Sequence, residues 1–305
     1  MYTHPYSLSH VTSPDESAGP QDDEVYTNAI GAATIAFALE VGKLLGVAPA
    51  PKEWAAMAAA PYLPLSSTLP HSNGAQIHPE FAGYAGGPAD CCGREDGETA
   101  SSGHCCITQS AATLLQYPLG LELPDKIKIN DLKYYEPRTR QNGFFTGDSI
   151  YSIAWLALGN ASAALGQWDA AFAHMDCEHF CLFREELTGG HSNFITGSGG
   201  FLQNIIQGWA GVRVGPDAMT LRKPTLPPTA ESIKLRGLQL GGAKFSVQYS
   251  TSRITFARSS LSTVATLHVD DGSTTSHLVT AGGVSFPLGV GSSGEFRLRV
   301  GSTGS

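Results

Sequence analysis

Positive charge is scarce in this chain, and that scarcity excludes the most. Its 305 residues carry 19 Lys and Arg against 27 Asp and Glu, a formal net charge of −8 at pH 7. Nucleic acid and anionic membranes need clustered cations, so neither is expected as a partner. Long apolar runs are missing too: none approaches the ~18 residues that would read as a membrane-spanning helix. The N-terminus, MYTHPYSLSHVTSPDES, has no basic segment and no apolar stretch behind one, so no secretory leader is read and a cytoplasmic location is expected. Cysteine is limited to six residues: the adjacent pairs Cys91-Cys92 and Cys105-Cys106, with Cys177 and Cys181. Adjacent cysteines rarely bridge each other and a chain of this size does not need staples, so reduced thiols are expected. A zinc site from Cys91, Cys92, His104, Cys105 and Cys106 matches no C-x₂-C framework. The glycine-rich stretch TGSGG at 196–200 contains no lysine and follows no strand pattern, which argues against a nucleotide-phosphate loop. No metal or cofactor is expected.

What is present is a change of grain along the chain. Residues 24–46 carry apolar side chains at helical spacing and stop at Gly46, where a glycine past the last turn ends a helix. Pro51 opens a second helix through Ala60, a position proline tolerates. Residues 61–88 show no period but contain His78-Pro79-Glu80-Phe81-Ala82-Gly83-Tyr84, a long loop of the kind that is usually functional. Residues 89–104 are a polar, low-complexity insertion. Helical patterns return at 107–116, 129–140, 148–165 and 167–179, and again from Gly199-Gly200 to Gly208. Beyond Val212 the pattern becomes short strands with turn punctuation, at 233–240, 243–249, 253–257, 262–270, 275–280 and 295–300, which reads as a β-sandwich. The 35 glycines suit such a chain of tight turns. Two domains are expected, 1–212 and 213–305, with the boundary near 209–216.

Two regions carry chemistry. Ser13-Pro14-Asp15-Glu16 places an acidic turn before the first helix, with Tyr26-Thr27-Asn28 ten residues on. Phe183-Arg184-Glu185-Glu186-Leu187-Thr188-Gly189-Gly190 is followed by Asn193-Phe194-Ile195-Thr196-Gly197 and Gly199-Gly200-Phe201-Leu202-Gln203. Two carboxyl groups are what glycoside hydrolysis demands: a protonated acid beside the leaving oxygen and, for inversion, an ionised base activating water ~6.5–9.5 Å away. On residue type alone, Asp15 and Glu16 could equally start a helix electrostatically, and Glu185-Glu186 could be an exposed loop pair.

Together these motifs resemble family 65 of the glycoside hydrolases and phosphorylases, which holds acid trehalases, the glucosidase of glucosyl-galactosyl-hydroxylysine, and disaccharide phosphorylases. The resemblance covers most of residues 10–215. It implies a mainly α fold, the C-terminal half of an (α/α)₆ toroid, followed by a small antiparallel β-sandwich. It implies inverting hydrolysis of an α-glucoside, with Glu16 as general acid and Glu185, rather than its neighbour Glu186, as general base. A phosphorylase would put a phosphate-binding loop where Glu185 stands, so hydrolysis is preferred to phosphorolysis. Gln109 matches a glucose contact, although the family's Lys-Gln pair reads Thr108-Gln109 here. His78 and Glu80 either contact sugar hydroxyls, with Phe81 and Tyr84 as walls, or are structural. The glycines of 197–200 are read as points of close helix packing. The acidic motif lies deep inside family members but at residues 13–16 here. A truncated enzyme is therefore expected, with a partner or an N-terminal half covering an exposed helix face. A non-catalytic remnant is the alternative.

Overall fold

The computed structural model describes residues 6–15, 18–47, 49–86, 107–139, 145–178, 180–187, 192–259, 266–288 and 294–301. The chain folds into two compact units, residues 1–151 with 172–197, and residues 152–171 with 198–305. Among the described residues there are seven α-helices, and every paired strand is antiparallel.

In the first unit a two-strand ribbon, β1 (Val11–Thr12) with β2 (Pro20–Gln21), precedes the long helix α1 (Val25–Leu45). Buried Glu24 caps α1, its carboxylate accepting from the Tyr26 N–H at 3.1 Å and from the Thr27 N–H and hydroxyl. Gly46 ends it in the left-handed conformation, at φ 64°, as its position past the last apolar turn requires. Only the first turns of α1 are buried, at Val25, Asn28, Ala29 and Ala32. Phe37, Leu44 and Leu45 are 67%, 79% and 71% exposed. By length and composition alone α1 could cross a membrane, which corrects the reading that no run is apolar enough. Alanines, glycines and threonines interrupted by Glu40 and Lys43 disguise that property in the sequence.

Helix α2 (Lys52–Ala59) follows, then the loop to residue 86. The helix expected at 107–116 is only the short α3 (Ala111–Leu114). Ile107 instead bridges Thr139 in extended conformation, and Ser110 caps the turn by accepting from the Thr113 N–H. Helix α4 (Asp125–Tyr135) runs into a 3₁₀ turn at Glu136–Arg138. The single helix read at 148–165 is two, α5 (Asp148–Ala157) and α6 (Ala161–Ala173). Gly159 turns the chain at φ 82°, and the Asn160 side chain accepts from the Ala163 N–H at 3.1 Å to start α6. A hairpin of β3 (Met175–Asp176) and β4 (Leu182–Phe183) then carries the chain to Glu185. Cys177 and Cys181 are bridged across this hairpin, Cα atoms 4.0 Å apart, which corrects the expectation of reduced thiols at these two positions. The Cys91, Cys92, Cys105 and Cys106 pairs, His104 and the insertion at 89–104 lie outside the described residues.

Helix α7 (Ile195–Gln203) continues as a π-turn, Asn204–Trp209. Two sheets follow. One has the order β11-β10-β13-β6-β5, from β5 (Val212–Val214), β6 (Met219–Arg222), β10 (Thr266–Asp270), β11 (Ser276–Leu278) and β13 (Glu295–Gly301). The other has the order β12-β9-β8-β7, from β7 (Ser232–Leu240), β8 (Ala243–Ser250), β9 (Arg253–Arg258) and β12 (Val284–Pro287). Period-two alternation buries Phe245, Val247 and Tyr249 of β8 with Ile254, Phe256, Leu267, Val269, Phe296 and Leu298 in one core. A register shift between Leu235 and Leu238 coincides with Gly237 at φ 74°. Strands β5, β6 and β12 have no counterpart in the sequence reading, because each is short and flanked by glycine or proline.

Candidate active site

The loop before residue 86 is held by α4 and α3. The His78 N–H donates to Asp131 Oδ1 at 2.9 Å, its ring Nδ1 lies 2.8 Å from Asp131 Oδ2, and the Tyr135 hydroxyl donates to the His78 carbonyl at 2.5 Å. His78 and Asp131 are both buried. Two residues on, the Glu80 carbonyl accepts from the Val25 N–H at 2.9 Å, tying the loop to the start of α1. Its carboxylate accepts from the Ser110 hydroxyl at 2.7 Å, the Ala111 N–H at 2.7 Å and the Ala112 N–H at 3.3 Å. Burial pushes the Glu80 carboxyl well above the usual carboxylate range, opposed by the Ser110 bond and reinforced by the charges of Asp15 and Glu24. Of the two roles open to His78 and Glu80 in the sequence, this geometry favours the structural one. Glu80 spends both carboxyl oxygens inside the protein, and His78 its Nδ1. Phe81 and Tyr84 pack edge to face at 5.4 Å and, with Tyr62, Pro64 and Pro79, line a cleft of about 330 Å³.

The acidic turn is anchored beside the entry to α3. Asp15 is buried and its Oδ1 accepts from the Thr108 N–H at 3.1 Å. The Gln109 side-chain amide donates to the Pro14 carbonyl, so Gln109 faces the turn. The Ser13 hydroxyl donates to the Asp15 carbonyl at 3.2 Å, and the Ala18 N–H donates to the same oxygen at 3.1 Å. Glu16, the candidate acid, lies outside the described residues. Its neighbour Asp15 is fixed by a long-range bond that Pro-Asp-Glu spelling alone does not reveal.

Glu185 follows β4 in the same unit and is half-buried, as is Glu186. Its carbonyl accepts from the Phe145 N–H at 2.7 Å, and the Arg184 N–H donates to the His174 carbonyl at 2.9 Å. The Arg184 guanidinium pairs with the Asp176 carboxylate across the hairpin. The Phe145 ring stacks between His174, at 4.8 Å, and Phe183, at 4.9 Å. Gly197, from the glycine-rich stretch, packs under it: a Cβ there would meet Phe145 Cδ1 at 2.1 Å. Close helix packing therefore explains Gly197. Gly199 has open space around its Cβ position.

Asp148 and His174 have no place in the sequence reading. Burial raises the Asp148 carboxyl to about 6 and lowers the His174 imidazole below its ordinary value. His174 Nε2 stands 3.9 Å from Asp148 Oδ2. Glycine-Asp-Ser at the head of an apolar helix could have marked Asp148; nothing in the spelling around His174 singles it out.

No protein-family model matches the chain. It is 32% identical over 253 residues to a protein-glucosylgalactosylhydroxylysine glucosidase of Dictyostelium discoideum, covering 82% of this chain and 32% of the relative. It is 28% identical over 235 residues to a kojibiose hydrolase of Mucilaginibacter mallensis, covering 76% of this chain and 31% of the relative. A solved structure provisionally assigned as a kojibiose phosphorylase from the human microbiome superposes with a TM-score of 0.69 at 14% identity, covering 93% of this chain and 42% of that one. The fold is thus shared with that structure, a partial set of helices plus a β-domain. The chain spans about a third of the length of the curated relatives it matches. These relatives are named as a glucosidase and a hydrolase.

Proposed function

We propose that the chain is part of an inverting family 65 glycoside hydrolase acting on α-glucosides, either glucosyl-galactosyl-hydroxylysine or a trehalose-like disaccharide. Residues 1–212 carry the catalytic part, half of an (α/α)₆ toroid, and residues 213–305 form an accessory sandwich. Glu16 protonates the leaving oxygen and Glu185 activates water on the opposite face of the sugar. Gln109 reaches the glucose once substrate displaces its contact with Pro14, while Glu80 and His78 hold the loop whose Phe81 and Tyr84 form a wall. The observation that carries the reading is the anchoring of Asp15 by Thr108. It holds the residue preceding Glu16 inside the same unit that presents Glu185. The relatives named as glucosidase and hydrolase support water, rather than phosphate, as acceptor.

One observation favours a second reading, in which this chain is silent without further protein. Phe37, Leu44 and Leu45 leave an apolar face of α1 open among the described residues, larger than a solitary exposed leucine. On that reading a partner or additional chain covers the face and completes the site.

The test is an assay of purified chain against trehalose, kojibiose and glucosyl-galactosyl-hydroxylysine, with and without phosphate, reading the released sugar by NMR. Phosphate-independent release of β-glucose supports inverting hydrolysis. Glucose 1-phosphate would identify a phosphorylase, and no turnover of any substrate would favour the second reading.

A further inference from the structure

The backbone that presents Glu185 is fixed by two hydrogen bonds, and both lead to one histidine. The Arg184 N–H ends on the His174 carbonyl, and the Glu185 carbonyl is held by the Phe145 N–H. The His174 ring lies flat on Phe145, planes 15° apart, and Phe145 lies on Phe183 of the same strand. His174 is therefore a clamp: its main chain holds one side of Glu185 and its ring holds the residue that holds the other.

One edge of that ring faces Asp148 across 3.9 Å, a charge contact rather than a direct hydrogen bond. His174 Nδ1 is buried with no hydrogen-bond partner, while Nε2 faces Asp148 Oδ2. A neutral imidazole has one N–H to place. With the proton on Nε2 it points at the carboxyl, and the bare atom at Nδ1 is a lone pair. Protonating the ring would bury an orphan N–H as well, the costlier defect. Burial lowers the His174 imidazole and so favours the neutral ring, opposed by a backbone hydrogen bond at Arg184.

We propose that Asp148 and His174 are a positioning pair for Glu185, with the Asp148 carboxyl orienting an Nε2-protonated imidazole that keeps Phe145 and the 182–185 strand in register. The proposal rests on the reading of Glu185 as the base. Other charged groups near the pair are Glu136, whose charge raises Asp148 further, and Asp176 with Arg184 on the hairpin. Neither Asp148 nor His174 needs to touch substrate.

The test uses the full chain, uniformly labelled with ¹⁵N, in wild type, Asp148→Asn and His174→Phe forms. Ring spectra should show the Nε2–H tautomer in the wild type. Asp148→Asn should move the His174 midpoint and shift the amide resonances of Phe145, Arg184 and Glu185. In the same variant kcat should fall about tenfold or more with KM little changed, because a small misplacement of a reacting group acts on the transition state. Its acidic pH–rate limb should also move. His174→Phe keeps the stack and loses the nitrogen, so it should reproduce the kinetic loss. Should that variant fail to fold, the near-isosteric Asp148→Asn carries the test by itself. An Nδ1–H tautomer, or Phe145, Arg184 and Glu185 amides unmoved in Asp148→Asn, would overturn the pair. A wild type without turnover bears on the functional reading alone, since the spectra then decide the pair.

Discussion

Asp15 and Thr108 are 93 residues apart in sequence, yet the Thr108 N–H donates to the Asp15 carboxylate at 3.1 Å with both residues buried. That bond fastens the acidic turn to the segment entering α3. Asp15→Ala strips a buried N–H of its acceptor, a loss of about 1–3 kcal/mol in stability. Its effect on turnover should be larger than that figure implies, because the residue after Asp15 is the proposed acid. Denaturant midpoints beside kcat would separate the two effects.

Glu16→Gln and Glu185→Gln should each reduce hydrolysis of natural substrates about 10²–10⁴-fold, since one removes the proposed proton donor and the other the proposed base. A substrate with an activated leaving group should rescue Glu16→Gln and not Glu185→Gln. Equal losses on both substrates would reverse or remove the assignment.

Glu80→Ala should destabilise the first unit by about 3 kcal/mol or more, because the Ala111 and Ala112 N–H groups and the Ser110 hydroxyl lose a buried carboxyl acceptor together, at about 1–3 kcal/mol for each group left unsatisfied. A sugar ligand would behave differently, raising KM while leaving the urea midpoint near wild type. The same experiment on Gln109→Ala, whose amide meets a single backbone carbonyl, should show the opposite balance.

Asp148 sets a pH dependence. Burial raises its carboxyl from 3.8 to about 6 in the folded chain, so the native state holds a proton that the unfolded state releases. The stability this contributes is present below about pH 3.8 and is lost as pH rises through about 6, at most about 3 kcal/mol across that window. Asp148→Asn cannot lose it. Its unfolding free energy relative to wild type should therefore improve from pH 4 to pH 7, measured by urea titration at each pH.

Gly197→Ala should be costly and Gly199→Ala mild. A methyl at 197 would overlap both the ring and the carbonyl of Phe145, whereas at 199 nothing lies within 4 Å. Thermal midpoints of the two variants, made side by side, check the difference.

Much of this was legible from the residues. Alternation marked β7 to β10, and the apolar period followed by Gly46 marked the end of α1. Gly159 was missed because an apolar helical period runs on either side of it, and only its left-handed backbone shows the break. The partners of Glu80 and His78 were hidden for a different reason. A carboxylate that caps a buried helix turn and one that binds a hydroxyl are spelled alike, and Asp131 sits in Asp125-Lys126-Ile127-Lys128-Ile129-Asn130-Asp131, which reads as a solvated face. Burial, not residue type, separates these roles, and burial is a property of the assembled chain.

The cystine between Cys177 and Cys181 makes the route of production an experimental variable. The hairpin it closes leads directly to Arg184 and Glu185, so protein matured in a reducing cytosol and protein matured where thiols oxidise are two chemical species in which Glu185 is differently tethered. Thiol titration of each preparation should come before its activity is compared, because a silent batch and a silent enzyme would otherwise look the same.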